Sequence, residues 1–147
     1  NAPLMAEQRG VEVRLTQDLV SDEYRNVTTL KAVLSDGTTV SAGGTVIGPK
    51  HHQKVVSING YDVELSMAEH MVVMVYQDRP GIVAIYGKAF AEAGINIAAM
   101  TIARQQKGGK ALSVITVDSP VASNILEHLQ REIQADAMRS ISISDEY

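Results

Sequence analysis

Two short stretches of this 147-residue chain hold side chains whose types and spacing could do chemistry. In the first, Tyr76, Asp78 and Gly81 stand where a continuous apolar run, residues 71–76, breaks at Asp78-Arg79-Pro80-Gly81 and a helical pattern begins. A helix N-terminus presents free N–H groups and positive dipole charge, which suit a carboxylate. Gly81 would let a ligand approach the backbone closely, and Asp78 is an anionic acceptor for an ammonium. Carboxylate on N–H groups with ammonium on aspartate is the recognition pattern of an α-amino acid. Asp78 could instead cap the helix and Tyr76 sit in the core. Spacing alone favours that plainer reading, because Asp is so common at N-caps. The second stretch bunches Lys50, His51, His52 and Lys54. Two lysines with two titratable imidazoles would suit a phosphate or another anion. Strand alternation would put Lys50, His52 and Lys54 on one face and His51 on the other. The same residues read equally well as a solvated strand start.

Other chemistries lack their residues. Cys is absent, which removes disulfides, thiolate nucleophiles and Cys-built metal sites. No GxGxxG follows a strand, and neither a Ser-His-Asp constellation nor a metal motif is present, so no catalytic, cofactor or metal site is expected in the chain itself. A net charge of -4 gives no positive field for nucleic acid or anionic lipid. Aromatic residues make up 4% of the chain and Trp is absent, too few to stack bases. No apolar run approaches the ~20 residues that span a bilayer, and without a signal-like N-terminus the expected location is cytoplasmic. The first residue is Asn rather than Met, which suggests a piece of a longer protein.

The elements that must position these residues fall into two groups. Residues 3–10 read as a short helix closed by Gly10, residues 11–15 alternate apolar and polar, and a polar stretch covers 21–26. Runs 27–34 and 38–47 flank Ser35-Asp36-Gly37, and runs 54–58 and 61–65 flank Asn59-Gly60; both junctions carry hairpin chemistry of the type I′ kind. Gly43-Gly44 predicts a bulge or a close backbone approach. From residue 67 the period changes. After the buried-strand run 71–76, Pro80 fits a first helical turn, and Ile82, Ile85, Tyr86, Ala89, Phe90 and Ala93 make one face ended by Gly94. Strands are expected over 95–105 and 110–117, then a helix with Ser119 as N-cap and Pro120 at N1, its stripe Ala122, Ile125, Leu126, Leu129 and Ile133. A last strand over 138–144 sets Ile141 and Ile143 on one face. The fold class is α+β: a mostly antiparallel β segment, 1–66, followed by a ferredoxin-like βαββαβ unit, 67–147. Each half carries -2, and no Gly/Pro linker separates them, so they should be docked.

The stretch "VYQDRPGIVAIYGKAFAEAGINIAAM" resembles the signature of ACT domains, small-molecule sensors attached to enzymes of amino-acid metabolism. With "NAPLMAEQRGVEV" and "GTVIGPKHHQKVVSINGYDVEL", the whole chain resembles the C-terminal regulatory region of the D-3-phosphoglycerate dehydrogenase family, long actinobacterial-like type. That resemblance implies an intervening allosteric substrate-binding domain before the ACT domain, and a parent enzyme that uses NAD. It implies L-serine as effector, bound where two ACT domains of a homo-oligomer pair edge to edge for feedback inhibition. It carries the effector contacts onto Tyr76 and Asp78, and onto Asn96 in Gly94-Ile95-Asn96-Ile97, beside Gly81. For the first domain it implies a phosphorylated anion near Lys54, with arginines where this chain has Ser66 and Thr116. Two rivals are a regulatory part of an L-serine dehydratase and a purely structural oligomerisation module.

Overall fold

In the computed structural model, residues 2–17 and 24–143 are described. A short helix, α1 (Ala2–Gln8), ends at Gly10, whose φ of 67° is the left-handed closure expected there. Residues 11–15 form no strand despite their alternation, and all are exposed. No described strand pairs with this segment, and alternation alone does not hold an extended chain. Within the polar stretch 21–26, residues 21–23 lie outside the described residues.

The first sheet is a meander of β1 (Thr28–Val33), β2 (Thr39–Ile47), β3 (His52–Ile58) and β4 (Tyr61–Ser66), each antiparallel to the next. Its two predicted turns differ. Asn59 and Gly60 both take positive φ, 49° and 77°, as a type I′ turn requires. At residues 35–37 only Gly37 does, at 82°; Gly37 N–H donates to Leu34 O, and Thr38 N–H to Asp36 Oδ1. That is a three-residue loop with a left-handed glycine, because the aspartate side chain holds its own turn without leaving the right-handed region. At Gly43 and Gly44 the β2–β3 register shifts. A side chain at Gly43 would run into the Ser57 hydroxyl, so the close approach predicted there is real.

The second sheet holds β5 (His70–Gln77), β6 (Ile97–Arg104), β7 (Lys110–Val117) and β8 (Ala137–Ser142) in the spatial order β6-β7-β5-β8, antiparallel throughout. Two crossing helices, α2 (Ile82–Glu92) and α3 (Ser123–Ile133), cover one face. Val72, Met74 and Tyr76 of β5 meet Ile82, Tyr86 and Phe90 of α2 and Leu129 and Ile133 of α3 in one core. On the opposite face Met71, Ala103, Leu112 and Val114 pack against Tyr61, Val63 and Leu65 of β4, so the first sheet docks on the second. Gln105 Nε2 adds a bond to Gly60 O at 3.3 Å. β5 is therefore buried on both faces, which is why its sequence is a continuous apolar run.

Both helices begin later than their prolines suggest. Gly81, at φ 93°, is the N-cap of α2, and Pro80 lies just before it rather than in the first turn. α3 starts after Ala122, not Ser119: Ala122 is extended and Val121 is drawn into the core, so Pro120 precedes the helix by three residues. In β8, Arg139 and Ile141 lie on the β4-facing side, with Ile143 packed there after the strand; residue 144 lies outside the described residues.

Candidate functional site

Where β5 ends, backbone bonds fix the chain. Asp78 N–H donates to Gly109 O at 2.9 Å, and Gln77 Nε2 donates to Gly108 O at 2.6 Å, tying this end of β5 to the β6–β7 turn. Gly81 then turns the chain into α2 with no side-chain cap, leaving the first helical N–H groups without a side-chain acceptor. Between that turn and β6 lies an open cavity of about 340 Å³, lined by Tyr76, Asp78, Arg79, Pro80, Gly81, Ile82, Val83, Ile102 and Arg104. Three of the four predicted effector-site residues, Tyr76, Asp78 and Gly81, thus share one cavity.

Asp78 does not cap the helix. Its Oδ2 accepts from Arg104 NH1 at 3.1 Å, with the carboxylate side chain 23% exposed and the guanidinium side chain 56%. Tyr76 is buried, and its hydroxyl lies 2.9 Å from Ser113 Oγ, so it gives the cavity a wall rather than a free hydroxyl. Beside it the Tyr86 hydroxyl donates to Met100 Sδ. Burial pushes the Tyr86 pKa up to about 12, neighbouring Tyr76 adds to the rise, and a bond with Ser113 opposes it. Arg79 turns away, donating to Ile133 O at 3.0 Å at the end of α3.

Asn96 lies elsewhere. Its Nδ2 donates to Asp118 Oδ2 at 2.7 Å, at the end of the sheet where Ile97 and His70 both pair with Val117. Arg104 and Tyr76 both pair with Ala111, at the other end. Asn96 is separated from Gly81 by the eleven residues of α2, roughly 16 Å of helix at 1.5 Å per residue. One chain does not bring Asn96 to Asp78.

Arg104 was not among the predicted site residues. The register places it: Arg104, Ala111 and Tyr76 form one row across β6, β7 and β5, and the small Ala111 between them leaves room for the guanidinium to cross toward Asp78. An apolar strip beside the cavity was equally hidden in sequence. Met100 and Ile102 of the outer strand β6, with Val83 of α2, are all at least 40% exposed, and among the described residues β6 pairs only with β7.

At the basic stretch, β3 begins at His52, and residues 48–51 form a turn in which His51 takes φ 54°. Lys50 and His51 therefore do not alternate as strand residues. An open depression of about 670 Å³ collects His51, His52, Lys54, Glu64 and Ser66, but not Lys50. Lys54 Nζ donates to Ser66 Oγ at 3.0 Å. Glu64 adds a carboxylate to this rim. Among the described residues no group of three or more His, Cys, Asp or Glu side chains could hold a metal ion. No described helix is long and apolar enough to cross a membrane.

Residues 70–134 match the ACT domain family, so the second sheet with α2 and α3 is an ACT-like βαββαβ unit with a small-molecule-sized cavity at its first strand–helix junction. The relatives are more particular. The chain is 31% identical to D-3-phosphoglycerate dehydrogenase of Mycobacterium leprae over 144 residues, 98% of this chain and 27% of that protein. It is 30% identical to the enzyme of that name from Mycobacterium tuberculosis H37Rv, with the same coverage. It is also 30% identical to that of Bacillus subtilis over 131 residues, 88% of this chain and 24% of that protein. The chain thus spans about a quarter of the length of these curated relatives, and in the mycobacterial proteins the matched quarter is C-terminal.

Proposed function

We propose that this chain is the amino-acid-sensing regulatory part of a D-3-phosphoglycerate dehydrogenase, an NAD-dependent, cytoplasmic enzyme that oxidises 3-phosphoglycerate toward L-serine. Residues 67–147 form its ACT domain and residues 1–66 part of the intervening domain. L-serine is the effector, and the chain's own role is regulatory rather than catalytic.

The observation that carries this reading is the cavity at Asp78 and Gly81, which opens beside the edge of β6 that no described strand pairs with. If two copies pair antiparallel through that edge, the Ile97 end of one β6 comes beside the Arg104 end of the other. A second copy's Asn96 then approaches Asp78, which one chain alone cannot arrange. Exposed Val83, Met100 and Ile102 give such a pairing apolar surface to bury. Serine would place its ammonium on Asp78 and bridge to Asn96, which can both donate and accept. Inhibition follows if the paired geometry so stabilised differs from that of the active enzyme, since a ligand shifts an equilibrium only by its differential affinity. The test is calorimetric titration with L-serine, with D-serine and glycine as controls. Saturable, stereoselective binding that is lost in Asp78→Ala supports the reading; no heat from any of the three contradicts it.

The depression at His52 and Lys54 supports a second, anionic ligand for the first domain, though Lys50 does not line it. Glu64 on its rim limits that ligand's charge. One rival reading has its own observation: Asp78 is already paired with Arg104, as in an oligomerisation module that takes no ligand. That reading requires association in sedimentation without serine binding.

A further inference from the structure

The Asp78–Arg104 pair is half open on both sides. A single contact joins them, Arg104 NH1 to Asp78 Oδ2 at 3.1 Å. Among the described residues no bond reaches Asp78 Oδ1, and Arg104 makes no other side-chain bond. Both groups line the cavity at the start of α2. A guanidinium carries five donors in a planar fork, so most of its capacity is unused by the described residues. A carboxylate and a guanidinium side by side on one wall are the mirror of a zwitterion, whose ammonium and carboxylate are likewise held about one residue's breadth apart.

We propose that Arg104 is the carboxylate-binding residue of this cavity, so that an α-amino acid docks against the Asp78–Arg104 pair, ammonium on Asp78 and carboxylate on Arg104. The inference rests on the amino-acid-sensing reading above and extends it by one residue. Arg104 acts twice. Its bond to Asp78 holds that carboxylate in place; with the effector bound, its spare donors take the effector's carboxylate in a charge-assisted pair. The internal pair is a partly exposed one, which water and salt weaken, so it yields readily to the ligand's two charges. The helix N–H groups of α2 then complement Arg104 rather than carry the carboxylate alone. The assignment also makes selectivity a matter of two charges held at a fixed separation: amines without a carboxylate, and carboxylates without an ammonium, leave one member of the pair unmatched.

The experiment titrates the wild-type chain and its R104A and R104K variants with L-serine, and with serinol, which keeps the ammonium and lacks the carboxylate. Arg104 lies at the end of an outer strand and is more than half exposed, and circular dichroism checks that each variant is folded. L-serine should bind R104A about tenfold or more weakly, the scale of one lost charge-assisted bond, and R104K within about threefold of wild type, while serinol, measured by competition, loses no more than about twofold in R104A. Equal losses for L-serine and serinol would show that Arg104 only positions Asp78. Unchanged or tighter L-serine binding in R104A would show that it merely occupies Asp78; either result overturns the proposal. Where serinol gives no signal, R104K decides: if it falls as far as R104A, the positive charge is not what the ligand uses and the proposal fails. Failure of the wild type itself to bind L-serine is a separate outcome, which removes the sensor reading and this proposal with it.

Discussion

The second sheet carries α2 and α3 on one face and β4 on the other, and its central strand β5 buries Met71, Val72, Met74 and Tyr76. In the first sheet burial is greatest in β4 and absent from β1. β4 alternates buried and exposed residues, β3 is mostly intermediate, and every residue of β1 is exposed, with Leu30 at 76% and Val33 at 70%. The two sheets have the same antiparallel chemistry and similar β-rich sequences, so the difference comes from what covers them. The second sheet is a closed core with an edge and a cavity left open. The first is held chiefly along the side that docks through Tyr61, Val63 and Leu65. The outer edge of β6 and the cavity at Asp78 therefore sit on the more fully packed part of the molecule.

The largest expected effect tests the closed core. Phe90→Ala removes a fully buried ring between α2 and the sheet and should cost about 3–5 kcal/mol in urea unfolding. Leu65→Ala strikes the joint between the sheets and should cost about 2–4 kcal/mol, with hydrogen exchange in β3 and β4 accelerated more than in β5 and β7. Uniform acceleration in all four strands would mean that the two sheets unfold as one unit and differ only in exposure.

A smaller effect concerns the buried hydroxyls. Tyr86 has its pKa raised to about 12 in the folded chain, against about 10 for a free tyrosine. Between these values the unfolded chain binds fewer protons at this site than the folded one, so stability falls as pH rises through that window. Tyr86→Phe should flatten that part of the stability–pH curve, which urea titrations at several alkaline pH values would show. Smallest of all, Leu30→Thr on β1 should change stability by no more than about 0.5 kcal/mol, since the site is open and threonine suits a strand. A loss of 2 kcal/mol or more, on the scale of a core truncation, would mean that β1 is covered, for instance by a second copy.

Much of this was legible in the sequence, for physical reasons that can be named. The apolar run 71–76 announced a strand buried on both faces, and Asn59-Gly60 announced its turn because both positions tolerate positive φ. The spacing of Ile82, Tyr86 and Phe90 gave the buried face of α2. Local signals failed where tertiary packing outweighed them. Residues 11–15 alternate but find no partner strand among the described residues, and Val121 is pulled into the core, which delays α3 past Pro120. At the site, Tyr76, Asp78 and Gly81 could be grouped because they are neighbours in the chain. Arg104 could not, since its nearness to Asp78 depends on the register of three strands and on the smallness of Ala111. Asn96 could be reached only through the resemblance, because within one chain it faces Asp118 at the far end of the sheet.

The proposed effector site is completed by a second copy, which a mixing experiment can test. Asp78→Ala and Asn96→Ala chains should each fail to bind L-serine in calorimetry. After the two are mixed and allowed to exchange subunits, each mixed dimer holds one site with both Asp78 and Asn96 intact and one site with neither. Serine binding should therefore return in the mixture at a fraction of wild-type stoichiometry and near wild-type affinity. A mixture shown by sedimentation to exchange subunits, yet as inert as its components, would contradict the shared site. So would an Asn96→Ala chain that binds serine normally by itself.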